Sequence, residues 1–385
     1  MTLIDRIASW AGFERRNDAA DPSWSALAPN IGYCGAISAR AAENLSAVAA
    51  CSTVIATSLA SIPALVYRRQ GGNRIEAMGH PLYRITRQGV NEAMTWPDFV
   101  EHMLSSALLS GNGLAEIMRT TNGALAGFRF IPWGMVTVVQ LASGRLAFDV
   151  ADGRGGTRRL LPEEVLHLRD RTDGNGVGVS RLSRAADVIS AVQATNGFAR
   201  NFLENGGRPG GVIKSAQPLT QEQLELLRSQ FHAKYSGTAN AGRTLILDHG
   251  MEWTAAQISP EDAELLESRK FGVEEICRLF QVPPPLVQDY SHNTFTNSET
   301  AGRWFAMFTL APWARKIEAE FARSVFSTGS GFELELDLSG FLRGDPTTRW
   351  NAHKIALEAG VLTANEVREI EGWNPKTEPA SEQAE

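Results

Sequence analysis

The stretch that decides the fold runs from Ser259 to Phe326 and reads SPEDAELLESRKFGVEEICRLFQVPPPLVQDYSHNTFTNSETAGRWFAMFTLAPWARKIEAEFARSVF. It opens with the signals of a helix start: Ser259 can accept hydrogen bonds from free backbone amides, Pro260 suits the first turn, and two acids follow. Apolar residues then recur every three or four positions, which indicates one buried face. The three prolines after Val282 predict the end of this helix, because proline lacks a backbone donor.

A polar loop and a second helix follow. The residues from Gln288 to Thr294 are turn-forming, so we expect an exposed loop, and the capping-box pair Thr296 and Glu299 predicts that a helix restarts there. Pro312 lies within that helix and predicts a bend. A loop at the tip of two long helices suits the presentation of side chains rather than the enclosure of a reactant. The second helix carries an apolar stripe that is more simply core or subunit interface than a cofactor site: Trp304, Phe308, Trp313, Ile317, Phe321 and Val325.

Composition and charge restrict the class of protein. The chain has 385 residues, 43% of them hydrophobic and 21% charged, which is typical of globular proteins and long enough for two or three modules or one elongated subunit. The net charge of −6 and the absence of a basic face argue against tight binding of nucleic acid, but not against its passage. Cys34, Cys51 and Cys277 are far apart and lack metal-site spacing, which favours a reduced cytosolic protein without disulfides.

The rest of the chain predicts an α+β module and a helical stalk. The first module contains an Ala-rich helix over 40–61, a strand over 64–69, a helix capped by Thr95, β segments over 114–148 and a strand over 165–168. Ser180 begins a helix to about Gly206, and this helix and the one over 259–281 flank a small α/β insert of about fifty residues. A strand over 332–338 and two short helices, begun by the Asp345-Pro346 pair and by Thr363 with Glu366, complete the prediction.

The search for catalytic motifs finds only weak candidates. The glycine-rich segment over 173–178 lacks the Lys-Ser or Lys-Thr pair of a phosphate loop and is interpreted as a turn. His167 is interpreted as a half-buried histidine with satisfied hydrogen bonds. Glu163 and Glu164 near it have no third ligand in reach. Convergence of Asp170, Asp173 and Asp248 on a cation is an alternative that the sequence leaves open. We therefore expect no enzyme activity and no metal or other cofactor.

Nine motifs in order resemble those of the portal proteins, the head–tail connectors of tailed bacteriophages and gene transfer agents. The resemblance spans roughly residues 40 to 375. Each motif is weak alone, and the specificity comes from their common order. They are AVAAC at 47–51, IPALVY at 62–67, HPL at 80–82, LSGNG at 109–113, VLHLR at 165–169, GVSRL at 178–182, EI at 275–276 with VPP at 282–284, TNSE at 296–299 and GVLTANEVR at 360–368.

The resemblance implies a portal fold, which is an α+β fold with a wing, a two-helix stem, a small α/β clip, a tunnel loop with a long kinked helix, and a helical crown. It implies the following divisions: an N-terminal arm over 1–29, the wing over 30–179, stem helices over 180–206 and 260–282, the clip over 207–259, the tunnel loop over 283–297, the long kinked helix and a wing strand over 298–340, the crown over 341–375 and a disordered tail over 376–385.

The resemblance also implies a function. A homo-oligomeric ring, usually of twelve subunits, would surround a channel for double-stranded DNA at one capsid vertex of a virion or phage-like particle assembled in the bacterial cytoplasm. The implied partners are the major capsid protein, the terminase large subunit and a head-completion or adaptor protein, with no membrane. The tunnel loop would reach the DNA without reading its sequence through Gln288, Asp289, Tyr290, Ser291, His292, Asn293 and Thr294.

Two rival hypotheses belong to other classes. A non-portal structural adaptor of a phage-like particle would share the composition, but it would not form a cone-shaped ring with a central hole. A metal-dependent nuclease or hydrolase using the Asp and His turn residues would cleave DNA when magnesium or manganese is added. A portal protein would give no cleavage products.

Overall fold

The computed structural model describes residues 39–70, 73–152, 155–172, 174–204, 211–215, 220–235, 251–255, 265–290, 295–326, 329–342, 346–371, 373–374 and 376. Within these ranges the protein is a mixture of helices and small antiparallel sheets. No described helix is both long and apolar enough to span a bilayer. The expectations for the arm over 1–29, the strand over 244–247 and residues 377–385 of the tail lie outside the described residues.

The largest core lies between the helices over 46–60 and 96–110 and a three-stranded sheet. Four helices come first in the chain: α1 (Ala39–Ala42), α2 (Ser46–Ala60), α3 (Pro81–Gln88) and α4 (Trp96–Ser110). The sheet contains β3 (Asn112–Arg119), β4 (Leu125–Ile131) and β8 (Val165–Arg169), which pair antiparallel in the order β4-β3-β8. The rings of Phe99 and Phe128 stack at 5.3 Å between centroids, and Phe321 contacts Phe128 edge-on at 5.5 Å. One core therefore joins the first module to a helix two hundred residues later.

Helix α4 begins and ends as its sequence predicts. The Thr95 hydroxyl accepts from the Asp98 amide at 3.3 Å, and the Asp98 carboxylate accepts from the Thr95 amide at 3.0 Å. Gly111 ends the helix in the left-handed conformation, with φ 86°. The chain then enters β3, where Gly113 lies so close to α4 that a Cβ there would be 2.3 Å from the Met103 carbonyl oxygen.

Two further sheets flank this core. Strands β1 (Ala64–Gln70) and β2 (Asn73–Glu76) form a hairpin, and β13 (Phe332–Leu336) pairs antiparallel with β1, with Val66 opposite Leu334. Strands β5 (Val136–Gln140), β6 (Leu146–Ala151) and β7 (Thr157–Leu160) form a meander with a separate small core around Phe148. The sequence did not predict strand β7, because this segment has only four residues and two of them are arginines. The two-residue strands β9 (Arg171–Thr172) and β10 (Gly178–Val179) pair beyond β8.

The helix predicted from Ser180 is interrupted. Ser180 caps a short helix, α5 (Arg181–Arg184), through a 3.1 Å hydrogen bond from the Leu182 amide. Ala185 then leaves the helical region at ψ 34°, and α6 (Ala186–Glu204) follows. The prediction of one continuous helix was therefore wrong at Ala185. Arg181, one turn before the break, binds the Asp170 carboxylate and the Phe280 carbonyl, both outside its own helix.

A small α/β unit lies between α6 and the next long helix. Strands β11 (Gly211–Ser215) and β12 (Met251–Ala255) pair antiparallel, and α7 (Gln221–Tyr235) lies between them in sequence. The predicted capping box is present at Thr220, whose amide donates to the Gln223 side chain at 3.0 Å. Helix α8 (Leu265–Phe280) packs on α2 and α6. Its predicted start at Ser259 lies outside the described residues.

The last third of the chain is mostly helical. A 3-10 turn (Pro284–Val287) leads to α9 (Phe295–Phe305), a π-helical turn (Ala306–Leu310) and α10 (Ala311–Ser324). Helix α9 begins one residue before Thr296, so the capping residue predicted there lies inside the helix. Helices α11 (Ser339–Leu342), α12 (Pro346–Glu358) and α13 (Ala364–Ile370) follow β13. The predicted box at the last helix is confirmed by the Thr363 amide, which donates to Glu366 at 2.7 Å.

Candidate functional site

The segment that joins α8 to the predicted loop is held in a defined conformation. The Val282 amide donates to the Cys277 carbonyl at 2.9 Å, and the Gln281 amide donates to the Arg278 carbonyl at 3.2 Å. This pair of bonds is the Schellman arrangement that ends many helices, with Gln281 at φ 60° in the position that glycine usually occupies. Helix α8 thus ends through this motif, and the prolines that were predicted to stop it come directly after.

The prolines themselves form the 3-10 turn. The Leu286 amide donates to the Pro283 carbonyl at 3.0 Å, and the Asp289 amide donates to the Pro284 carbonyl at 3.1 Å. Pro285 is buried, and Leu286 and Val287 pack against the main core. The first part of the predicted tunnel loop (283–297) is therefore anchored to the core, ahead of its polar residues from Gln288 onward.

Three of the seven predicted loop residues are described, and they differ in exposure. Gln288 is exposed at φ 65°, Asp289 is half-buried, and Tyr290 is 64% exposed. Ser291, His292, Asn293 and Thr294 lie outside the described residues. The structure thus places the start of the loop on the surface, next to the end of α8.

The sequence around this segment contains no lysine or arginine from Leu279 to Gly302, whereas Asp289 and Glu299 are acidic. Duplex DNA carries about one negative charge per 1.7 Å of its axis. A surface without lysine or arginine gives the phosphates nothing to bind tightly. The chemistry of the segment fits contact without retention.

A buried charge cluster fixes the end of α8, and the sequence reasoning did not find it. Arg181 donates to the carbonyl of Phe280 at 3.2 Å, and its guanidinium also donates to the Asp170 carboxylate at 2.7 Å. Arg184 donates to the same carboxylate at 3.1 Å, and the Lys316 amine donates to the Asp170 carbonyl at 2.9 Å. One aspartate thereby connects the end of β8, α5, α8 and α10.

The electrostatics of the cluster follow from its burial. The Asp170 side chain is 6% exposed and that of Arg181 is 11% exposed. Burial lowers the pKa of the Lys316 amine, and the Asp170 carboxylate opposes that shift. Asp170, considered above as a cation ligand, is instead bound by arginines. Asp173 and Asp248 lie outside the described residues, and the described residues contain no group of three His, Cys, Asp or Glu placed to hold a metal ion.

His167 is another buried polar residue, and it lies on β8. Its side chain is buried rather than half-buried as predicted, and its Nε2 lies 2.9 Å from the Asn112 Oδ1. Burial, reinforced by the nearby Arg169 and Arg323, lowers the pKa of His167 to about 3. The ring is therefore neutral at pH 7, so Nε2 donates its proton to the amide oxygen. The prediction of a histidine with satisfied hydrogen bonds is confirmed.

The long helix is irregular next to the proline that predicted a bend. The π-helical turn over Ala306–Leu310 precedes Pro312, and the Thr309 hydroxyl donates to the Gln281 carbonyl at the end of α8. Such turns interrupt the regular bonding of a helix and often accompany functional sites. Pro312 follows the π turn by two residues, so the irregularity lies where the sequence predicted one, and the bend itself stays a prediction.

The apolar stripe of this helix is divided between core and surface. Trp313, Ile317, Phe321 and Val325 are buried, as predicted. Trp304 and Phe308 are 60% and 63% exposed, and Met307 beside them is 55% exposed. Ala301, Phe305 and Leu310 bury the opposite face. This part of the helix is therefore apolar on both sides, and one of those sides has no cover within the described chain.

The chain matches a known protein family over most of its length. The model of the phage portal protein family matches residues 46–372. The chain therefore belongs to the phage portal protein family and has its α+β portal fold. The function of that family is structural.

Individual relatives agree with this assignment. The "Probable portal protein" of Streptomyces phage phiC31 is 30% identical over 373 residues, covering 92% of this chain and 81% of that protein. The crystal structure of an HK97 family phage portal protein from Corynebacterium diphtheriae superposes with a TM-score of 0.60 at 16% identity, covering 80% of this chain and 97% of that one. A chain in the neck of a native gene transfer agent particle, computed with C12 symmetry, superposes with a TM-score of 0.55 at 24% identity, covering 85% and 89%.

Proposed function

We propose that this protein forms a closed ring of identical subunits at one vertex of a phage or gene transfer agent particle, with a channel through which double-stranded DNA passes. The observation that carries the proposal is the exposed face of Trp304, Met307 and Phe308. Tryptophan, methionine and phenylalanine are enriched in protein interfaces. A helix that is apolar on both sides is stable only when both sides are covered.

A ring supplies that cover without leaving an open end. A patch on one subunit contacts a different patch on the next, and such head-to-tail contacts generate a ring when the rotation closes. The C12 symmetry imposed on the similar gene transfer agent neck supports twelve copies. In this ring the segments expected as wing, stem, clip and crown take the divisions given above, and the capsid protein, terminase and adaptor bind its outside and its ends.

The loop from Gln288 to Thr294 lines the narrowest point of the channel in this proposal. Its anchored base, its exposed Tyr290 and the lack of lysine and arginine around it support a surface over which DNA slides. Tight phosphate binding would retain the duplex, since each neutralised phosphate releases counterions and adds affinity. The loop therefore acts as a guide and makes no sequence-specific contact.

Negative-stain electron microscopy of the purified full-length chain tests the proposal. We expect cone-shaped rings with a central hole, and class averages give the number of subunits. A chain that remains a monomer over a wide range of concentration and salt would refute ring assembly. A DNA-cleavage assay with magnesium or manganese on the same sample separates the nuclease hypothesis, which requires products.

A further inference from the structure

Two cysteines that are 226 positions apart in sequence meet in the core. Cys51 lies on α2 and Cys277 lies on α8, and their sulfur atoms are 3.9 Å apart. Both thiols are free, and the two residues are 0% and 1% exposed. A disulfide requires the sulfur atoms to approach to about 2.05 Å. The two sulfur atoms are therefore in contact but not bonded, and they must approach each other by about 2 Å for a disulfide to form.

A cleft brings small solutes close to this pair. It has a volume of about 360 Å³ and lies between α2, α6 and α8. Ala47 lines it one helical turn before Cys51, and Val273 and Ile276 line it within a turn of Cys277. Small molecules enter such a cleft readily, whereas a folded oxidoreductase does not. The cleft is therefore lined by the helical turns next to both cysteines, although the cysteines themselves do not line it.

We propose that Cys51 and Cys277 are a modification site, at which a small peroxide oxidant forms an intrachain disulfide that ties α2 to α8. The thiols remain reduced in a reducing cytosol and react where peroxide is available. The contact of the two sulfur atoms and the cleft beside them carry the proposal, so it is independent of ring assembly.

The reaction proceeds in two balanced steps. The thiolate of one cysteine attacks a peroxide oxygen, the oxygen–oxygen bond breaks, and a sulfenic acid and hydroxide form. The second sulfur then attacks the sulfenic sulfur and expels hydroxide, which takes up the remaining thiol proton as water. Two sulfur atoms lose two electrons in total, hydrogen peroxide gains them, and two water molecules leave.

The contact between the thiols assigns the order of the steps. The hydrogen bond that Cys51 donates to the Cys277 sulfur, together with burial, raises the pKa of Cys51. The first proton of the pair therefore leaves Cys277, whose thiolate is stabilised by the Cys51 S–H group. Cys277 is the attacking residue in the first step, and Cys51 resolves the sulfenic acid in the second.

The test treats the full-length Cys34→Ser chain with hydrogen peroxide and then alkylates the denatured product. We expect no alkylated cysteine, an intact mass lower by two hydrogen atoms, a linked peptide containing Cys51 and Cys277, and a Tm raised by several degrees. The Tm rises because the bond closes a long loop in the unfolded chain. Reduction with dithiothreitol should restore two reactive thiols and the original Tm.

Matched variants separate this result from nonspecific oxidation. In the Cys34→Ser background, Cys51→Ser and Cys277→Ser each remove one partner, so peroxide should give neither the linked peptide nor the Tm increase. The wild-type chain should yield the same linked peptide, which excludes an artefact of the background. Two alkylated thiols after peroxide treatment of the Cys34→Ser chain, or sulfinic acids without the linked peptide, would overturn the proposal.

Discussion

Buried polar side chains on and beside β8 connect distant parts of the chain. Glu320 on α10 accepts from the His167 amide at 2.9 Å, while the His167 ring contacts Asn112 on β3. Three residues further on, Asp170 is bound by Arg181 and Arg184. Buried polar groups are stable only when they are bonded, so these contacts specify how α5, α8 and α10 lie against the sheet.

Acid should destabilise the fold through His167. Its pKa in the folded chain is about 3, below the ordinary value of 6.5, so the unfolded chain binds a proton first as the pH falls. The contribution is complete above pH 6.5 and is lost progressively down to about pH 3. At pH 5 the loss is about 2 kcal/mol in the free energy of unfolding. Urea unfolding at several pH values between 7 and 5 measures this loss for the wild type and for His167→Gln. If the free energy of unfolding falls equally with pH in the two proteins, the assignment is contradicted.

Asp170→Asn should be among the most destabilising substitutions in the protein. It removes the carboxylate and leaves the buried Arg181 without an anionic partner, and it removes a contact of Arg184. Breaking a buried ion pair in this way costs about 3–5 kcal/mol. Chemical denaturation gives the value. Glu267→Gln, which breaks only the exposed pair with Lys270, is the matched control and should change stability by less than about 0.5 kcal/mol.

At the scale of elements, the end of α8 is the most constrained junction that the structure describes. Three features hold this junction: the Schellman motif, the 3-10 turn of prolines and the hydrogen bond from Thr309 to Gln281. All three act on residues within about ten positions of Gln288. The π turn lies beside this junction, because the Thr309 hydroxyl donates to the Gln281 carbonyl. The loop thus starts from a fixed base.

The contact between α4 and β3 gives a prediction for an element pair. Gly113→Ala would place a Cβ 2.3 Å from the Met103 carbonyl oxygen, and neither the strand nor the helix can move without disturbing the core. Overpacking of this kind costs about 1–3 kcal/mol. Thermal unfolding of the variant should show a lower Tm. Gly134→Ala, where no atom lies within 4 Å of the new Cβ, should leave the Tm near that of the wild type.

At the scale of the whole molecule, the exposed apolar face of α9 distinguishes a lone subunit from an assembled one. Trp304→Ser with Phe308→Ser should abolish ring assembly while changing the free energy of unfolding by no more than about 0.5 kcal/mol per site, because both side chains are exposed in the subunit. Analytical ultracentrifugation measures the mass, and circular dichroism reports the fold.

The control for that prediction removes exposed apolar surface elsewhere. Ile75 and Met78 are 54% and 65% exposed around the end of β2, and Ile75→Ser with Met78→Ser should leave the assembly intact. Equal loss of rings in both double variants would mean that the α9 face has no special role.

The channel loop carries the remaining prediction. Asp289→Lys with His292→Lys places two positive charges on a segment that has none, so phosphate contacts should slow or stall DNA packaging. Packaging rate and DNA content per particle are the measurements, with Asp289→Asn and His292→Gln as the uncharged control pair. An unchanged rate and content in the lysine variant would count against a channel position for the loop.

The sequence alone determined the elements whose signals are local. Thr95, Thr220 and Thr363 begin helices where predicted because a cap and its partner are three residues apart, and the fold class followed from periodicity and from nine motifs in order. Only the tertiary structure decided the break at Ala185, the π turn, the pairing of β1 with β13 and the contact of Cys51 with Cys277. Each of these depends on groups tens to hundreds of residues apart, whose meeting is favourable only after the core has formed and cannot be read from neighbouring residues.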